Sequence, residues 1–168
     1  MENIEQSNWW MYLEEPMRYL ARESFTLLNQ EKARVGSGER PHHDYSYIVF
    51  PIAKAFEGFL KKLFLDLGFI SNKQYKGDRF RIGRALNPNL PKRLQWDWVY
   101  AKLAGYCEGE ELPMKLWNTW KNARNRIFHY FPDSHEFVTL SQAEELVGEI
   151  VGTMEEALAG CRVAVLDR

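Results

Sequence analysis

Apolar residues recur at three- and four-residue intervals along most of the chain, the spacing of one buried face on a helix. Trp9, Tyr12, Leu13, Met17, Leu20, Phe25 and Leu28 predict helix over about 4–35. It is either continuous or broken near Pro16, where a proline costs an interior helix about 3 kcal/mol. Gly36 to Asp44, rich in Gly, Ser, Pro and His, reads as a loop. Ile48, Val49, Ile52, Phe56, Phe59, Leu60, Leu63 and Phe64 then keep helical spacing over about 45–67. Regular helix there is expected to begin at Pro51 and to stop at a Gly68 C-cap. A shorter helix is predicted over Trp96 to Cys107. Leu116, Trp120, Ala123, Ile127 and Phe131 predict another, starting near Leu112 and ended by Pro132. Ala143, Val147, Ile150, Met154 and Leu158 mark the last, opened by a Ser141-Gln-Ala-Glu144 capping box. These elements predict an all-α bundle of four to five main helices in one domain, 1–168. It divides into an N-terminal helical arm (1–40) and the bundle proper (45–160).

Composition narrows the function classes. An apolar content of 45% with 14% aromatics marks a folded chain, and 168 residues suffice for a substantial core. A formal net charge of −1 gives no global attraction to nucleic acid or anionic lipid, so any polyanion site must be built locally. No run reaches the roughly 20 apolar residues of a membrane span. The polar, acidic N-terminus does not read as a signal peptide. Cys107 and Cys161 lack metal-ligand spacing and read as ordinary thiols of a reducing cytoplasm, with a disulfide left open.

The helix ending at Pro132 carries the candidate chemistry. Arg124 falls four residues after Trp120 and three before Ile127, and so interrupts an apolar stripe. A guanidinium there needs a carboxylate or a charged ligand. Glu57 is the expected partner, since it lies on the most apolar helix. Lys54, Glu57 and Lys61 share the opposite strip of that helix, which otherwise reads as a solvated face with a weak Glu-to-Lys pair. Asn125 and Arg126 follow Arg124, and His129 stands in the last turn. A second feature lies at 72–93, where Lys73, Lys76, Arg79, Arg81 and Arg84 surround Tyr75 and Phe80 with Asp78 as the one acid. Cations with interleaved aromatics suit single-stranded RNA, through phosphate contacts and base stacking.

Arg124-Asn-Arg-Ile-Phe-His129 resembles the Arg–four residues–His signature of the HEPN superfamily, in which a polar residue, often Asn, follows the Arg. That resemblance implies a small helical bundle. Many such bundles are metal-independent endoribonucleases of toxin–antitoxin, anti-phage and RNA-processing systems. Tyr45 to Lys62 is further similar to the corresponding helix of the RNase LS-type toxins. There an Arg-x-x-Glu pair joins the main motif; here it reads Lys54-Ala-Phe-Glu57, with Lys in place of Arg. The likeness spans about Tyr45 to Leu158 and leaves the N-terminal arm unexplained.

The resemblance implies a catalytic set of Arg124, His129, Glu57, Lys54 and Asn125. Arg126, Lys73, Lys76, Arg79, Arg81 and Arg84 are expected to hold RNA. It implies no cofactor and no metal, a homodimer with a composite cleft and an antitoxin partner, while the thiols and the polar N-terminus already point to the cytoplasm. RNA supplies its own nucleophile, the 2′-hydroxyl. An imidazole can move that proton near neutral pH, and a guanidinium can stabilise charge on the phosphoryl oxygens. Geometry adds a constraint. Five residues place Arg124 and His129 about 140° apart around a regular helix. Either the last turn loosens before Pro132, or a second copy faces the first across a two-fold axis. Two other readings stand beside this one. One is a HEPN-like module that binds RNA, nucleotide or protein without catalysis. The other is a metal site at His42, His43 and Asp44, with His135.

Overall fold

A helix that is apolar on nearly every side must be surrounded, and Ser46–Asp66 is such a helix. In the structure, a computed structural model describing residues 4–125, 127–129 and 137–161, it runs through the middle of the molecule. The elements in chain order are α1 (Asn8–Tyr12), α2 (Glu15–Gly36), α3 (Ser46–Asp66), α4 (Asn72–Lys76) and α5 (Ile82–Ala85). After them come α6 (Tyr100–Tyr106), α7 (Glu111–Trp120) and α8 (Leu140–Gly160). Turns of 3-10 helix cover Ile4–Gln6 and Lys92–Asp97, and α7 continues as a π-helical turn at Lys121–Asn125. The fold is all-α, with no strand among the described residues. α2 and α8 flank α3, α7 packs on both α8 and α3, and α6 packs on α7. Ile48, Ile52, Phe56, Phe59, Leu60 and Leu63 are buried at the centre, where the Phe56 and Phe59 rings stack at 6.1 Å.

The N-terminal helix breaks ahead of Pro16, which sits in the first turn of α2, where the missing N–H costs nothing. The arm is part of the body. α2 lies along the length of α3. Tyr12 Oη donates to Asp66 Oδ2 (2.6 Å), while Lys62 Nζ covers the Tyr12 ring at 4.2 Å.

α3 begins at Ser46, five residues ahead of Pro51, where regular helix was expected to start. Tertiary bonds hold that first stretch. Tyr45 N–H donates to the Val138 carbonyl (2.8 Å), and the Val138 and Ser46 amides both donate to Asp44 Oδ1. Gly68 ends the helix as expected. At φ +71° it lets the Phe69 amide reach the Phe64 carbonyl (2.8 Å) and its own amide reach Leu65 (2.9 Å), a Schellman pair. The capping box of α8 is displaced from the expected one. Thr139 and Gln142 form it, because the chain enters from the pinned Val138, and Ser141 instead bonds Glu145. Buried Thr119 ties α7 to α8 by donating to Glu149 Oε1 (2.9 Å) and meeting Thr153 Oγ1 (3.0 Å).

Cys107 and Cys161 are free thiols 3.6 Å apart, at the ends of α6 and α8. Burial pushes the Cys161 thiol up to about 12, with Cys107 beside it adding to the shift. Burial likewise raises Tyr47 and Tyr75 to about 12, helped by carboxylates at Glu31 and Glu14. An acid whose folded pKa is raised binds its proton more tightly in the native state. Stability is therefore full below the unfolded pKa and falls as pH rises above it. The urea midpoint is expected to hold to about pH 9 and to fall progressively towards pH 12, with Cys161→Ala flattening the first part of that fall. A midpoint constant from pH 8 to 11 would contradict these burials. Among the described residues, no helix is long and apolar enough to cross a membrane.

Candidate functional site

Phe50, Lys54, Glu57 and Lys61 follow one another along α3 at four- and three-residue spacing and so share a face. The neighbouring residues Val49, Ile52, Ala53 and Phe56 are buried, so this strip is what α3 leaves open. Across from it the chain leaves α7 through the π turn. That turn adds a residue to the helical circuit and loosens the helix at the point where the motif sits. A cleft of about 470 Å³ opens between the two segments. Lys54, Glu57 and Lys61 line it from α3, and Arg124, Phe128 and His129 line it from the other side.

Arg124 is not driven into the core, as its place in the apolar stripe would require of a regular helix. Its side chain is 45% exposed, with Nε 3.0 Å from Glu57 Oε2. Its guanidinium carbon stands 5.7 Å from the Trp120 ring centre. Trp120 is the buried floor beneath it, stacked on Trp117 at 5.7 Å, and its indole N–H has no hydrogen-bond partner among the described residues. The carboxylate expected for Arg124 is thus the one it meets. Glu57 turns towards Arg124, and the solvated strip of α3 becomes one wall of the cleft. The loosening ahead of Pro132 brings Arg124 and His129 onto one cleft within a single chain.

Five lining residues went unread in the sequence as parts of a site: Phe50, Ala53, Gly58, Lys61 and Phe128. Lys61 repeats Lys54 two turns on, and with Arg124 it sets three cations against the single carboxylate of Glu57. Phe50 is 52% exposed on an otherwise buried stretch and meets Phe128 edge-on at 5.1 Å. The two rings make an apolar corner beside the charges. The available signal was spacing, since Phe50 precedes Lys54 by one turn of the same strip.

Other expected residues lie elsewhere or outside the described part. Asn125 closes the π turn, but its side chain, like Arg126 and His135, lies outside the described residues. Lys73 and Lys76 on α4, with Arg79 and Arg81 after it, are exposed and do not line the cleft. Arg84 is engaged: Nη2 lies 3.0 Å from Oδ2 of buried Asp97, and the guanidinium stacks at 4.3 Å on Trp96. The aromatics of that segment are not presented for stacking. Phe80 is a core residue and Tyr75 packs against the core, because the short helices need apolar anchors on the body. Asp44 spends its carboxylate on the Ser46 and Val138 amides, and His42 Nε2 stands 3.7 Å from Glu31. Among the described residues, no group of three His, Cys, Asp or Glu side chains could hold a metal ion.

The chemistry available is that of a positively charged, aromatic-walled cleft containing an imidazole. Comparison with known proteins adds nothing to it: no family model, curated protein or solved structure matches the chain.

Proposed function

We propose that this chain is a metal-independent endoribonuclease of HEPN type, acting in the cytoplasm as a toxin or anti-phage component. The observation that supports it is the meeting, on one cleft, of His129, Lys54, Lys61 and an Arg124 held by Glu57. The scissile phosphate lies against Arg124 and Lys54, whose charge offsets that developing on the phosphoryl oxygens. An imidazole takes the proton of the 2′-hydroxyl, which attacks the adjacent phosphorus and expels the 5′-oxygen. The products are a 2′,3′-cyclic phosphate and a 5′-hydroxyl. Two proton transfers are required. A homodimer, with His129 of a second copy across a two-fold axis, supplies both the base and the acid. Glu57 keeps the guanidinium oriented. Such a protein is restrained in its own cell by an antitoxin that covers the cleft.

The second reading is an inactive module that binds RNA, nucleotide or protein. Neutralisation of Arg124 by Glu57, and a Lys rather than an Arg at position 54, favour it. One experiment separates the two. Purified protein is incubated with mixed RNA in excess EDTA, beside DNA of matching sequence. Cleavage leaving cyclic phosphate ends, with the DNA intact, is expected. Cleavage only on addition of a divalent ion, or equal cutting of DNA, would defeat the mechanism. Light scattering at micromolar concentration is expected to give the mass of two chains, and a monomer would remove the composite site.

A further inference from the structure

The basic stretch after α3 does not offer the aromatics that its sequence suggests, yet an exposed aromatic stands beside it. Trp96 is 69% exposed, the most open of the large hydrophobic side chains among the described residues. It lies in the 3-10 turn Lys92–Asp97, where residues three apart eclipse one another, so Arg93 and Trp96 share an edge. Arg84 stacks on the ring at 4.3 Å and is itself fixed by Asp97, whose other oxygen takes the Gln74 amide at 2.7 Å. The indole is thus held in place from beneath while much of it remains open. Lys92 and Arg93 of the same turn are exposed, as are Arg79 and Arg81 ahead of α5, and Asp97 is buried and paired with Arg84. The adjoining residue of α5, Gly83, abuts the ring edge of Trp120, the ring over which Arg124 sits.

We propose that Trp96, backed by Arg84 and flanked by Arg93 and Lys92, is a stacking site for one base of a single-stranded RNA that extends beyond the cleft. An indole stacks on any base, and the local excess of cations meets the phosphates on either side. A ring braced by Arg84 on one face offers its open face to a base, the geometry of stacking. The site lies outside the cleft, and it rests on RNA being the ligand there.

The test is binding of a 12-nucleotide RNA carrying 2′-O-methyl groups, which cannot be cleaved, followed by fluorescence anisotropy. Trp96→Ala is expected to weaken binding about tenfold, the scale of one base–aromatic stack, and Trp96→Phe to keep most of the affinity. Heparin, a polyanion without bases, is expected to bind wild type and Trp96→Ala alike. Equal affinity of Trp96→Ala and wild type for the RNA would overturn the inference, as would equal losses for RNA and heparin. Cleavage of unmodified RNA is measured in parallel. Trp96-dependent binding without cleavage leaves this site standing and defeats the nuclease reading. Cleavage with Trp96-independent binding does the reverse.

Discussion

His129→Ala is expected to lower the rate of RNA cleavage by about 10²–10⁴-fold, the usual worth of a positioned general acid or base. Affinity for an uncleavable RNA should stay within about twofold of wild type. The expectation follows from where the side chain stands. His129 is exposed where it lines the cleft, and Lys54, Lys61 and Arg124, which line it too, remain to hold phosphate. Arg124→Ala should also cost about 10²–10³-fold, through loss of charge stabilisation in the transition state. It should affect binding more, because it strips the cleft of one cation and leaves the Glu57 carboxylate facing the substrate. Arg124→Ala with Glu57→Gln should therefore recover affinity without recovering rate. That split distinguishes a group acting on the reaction from one merely balancing a charge. His129→Ala cutting RNA within about threefold of wild type would end the proposed mechanism.

The sequence carried much of this site, for a physical reason. A cation inside an apolar stripe has to be answered, and Glu57 on the most apolar helix was the available answer, as the 3.0 Å contact with Arg124 bears out. What lay beyond the sequence was the way the helix accommodates that cation. No residue type announces the π turn at Lys121–Asn125; it arises from packing Trp120 and Ala123 inward while Arg124 stays in the cleft. Helix ends were similarly decided from outside. Thr139 and Ser141 are both competent caps, and the bonds of Val138 to Tyr45 and Asp44 select Thr139. In the basic segment, residue types could not say which aromatics face the body. Phe80 went inward, while Trp96, which periodicity assigned to the following regular helix, was left outside in a 3-10 turn.

Gly83→Ala should damage fold and site together, although Gly83 does not line the cleft. A Cβ at this position would lie 2.3 Å from Trp120 Cη2 and 2.8 Å from Cζ3, inside any tolerable contact. Neither side yields easily. α5 is anchored by buried Ile82, Ala85 and Leu86 and by the Arg84–Asp97 pair, while Trp120 is buried and stacked on Trp117. Overpacking of this kind costs about 1–3 kcal/mol. The gain in helix propensity from Gly to Ala, at most about 1 kcal/mol, recovers only part of it. The displaced ring is the floor under Arg124, so cleavage should fall together with the urea midpoint. Trp120→Phe provides the decisive comparison. The smaller ring removes the atoms that the new methyl would strike, and it removes an indole N–H that is buried without a partner among the described residues. The double variant should be more stable than the sum of the single losses by about 0.5–3 kcal/mol, since the methyl then fills space that the missing indole leaves. Additivity within about 0.3–0.5 kcal/mol would show that the two residues are not in the contact described, and that the position of the ring under Arg124 is set by something other than α5.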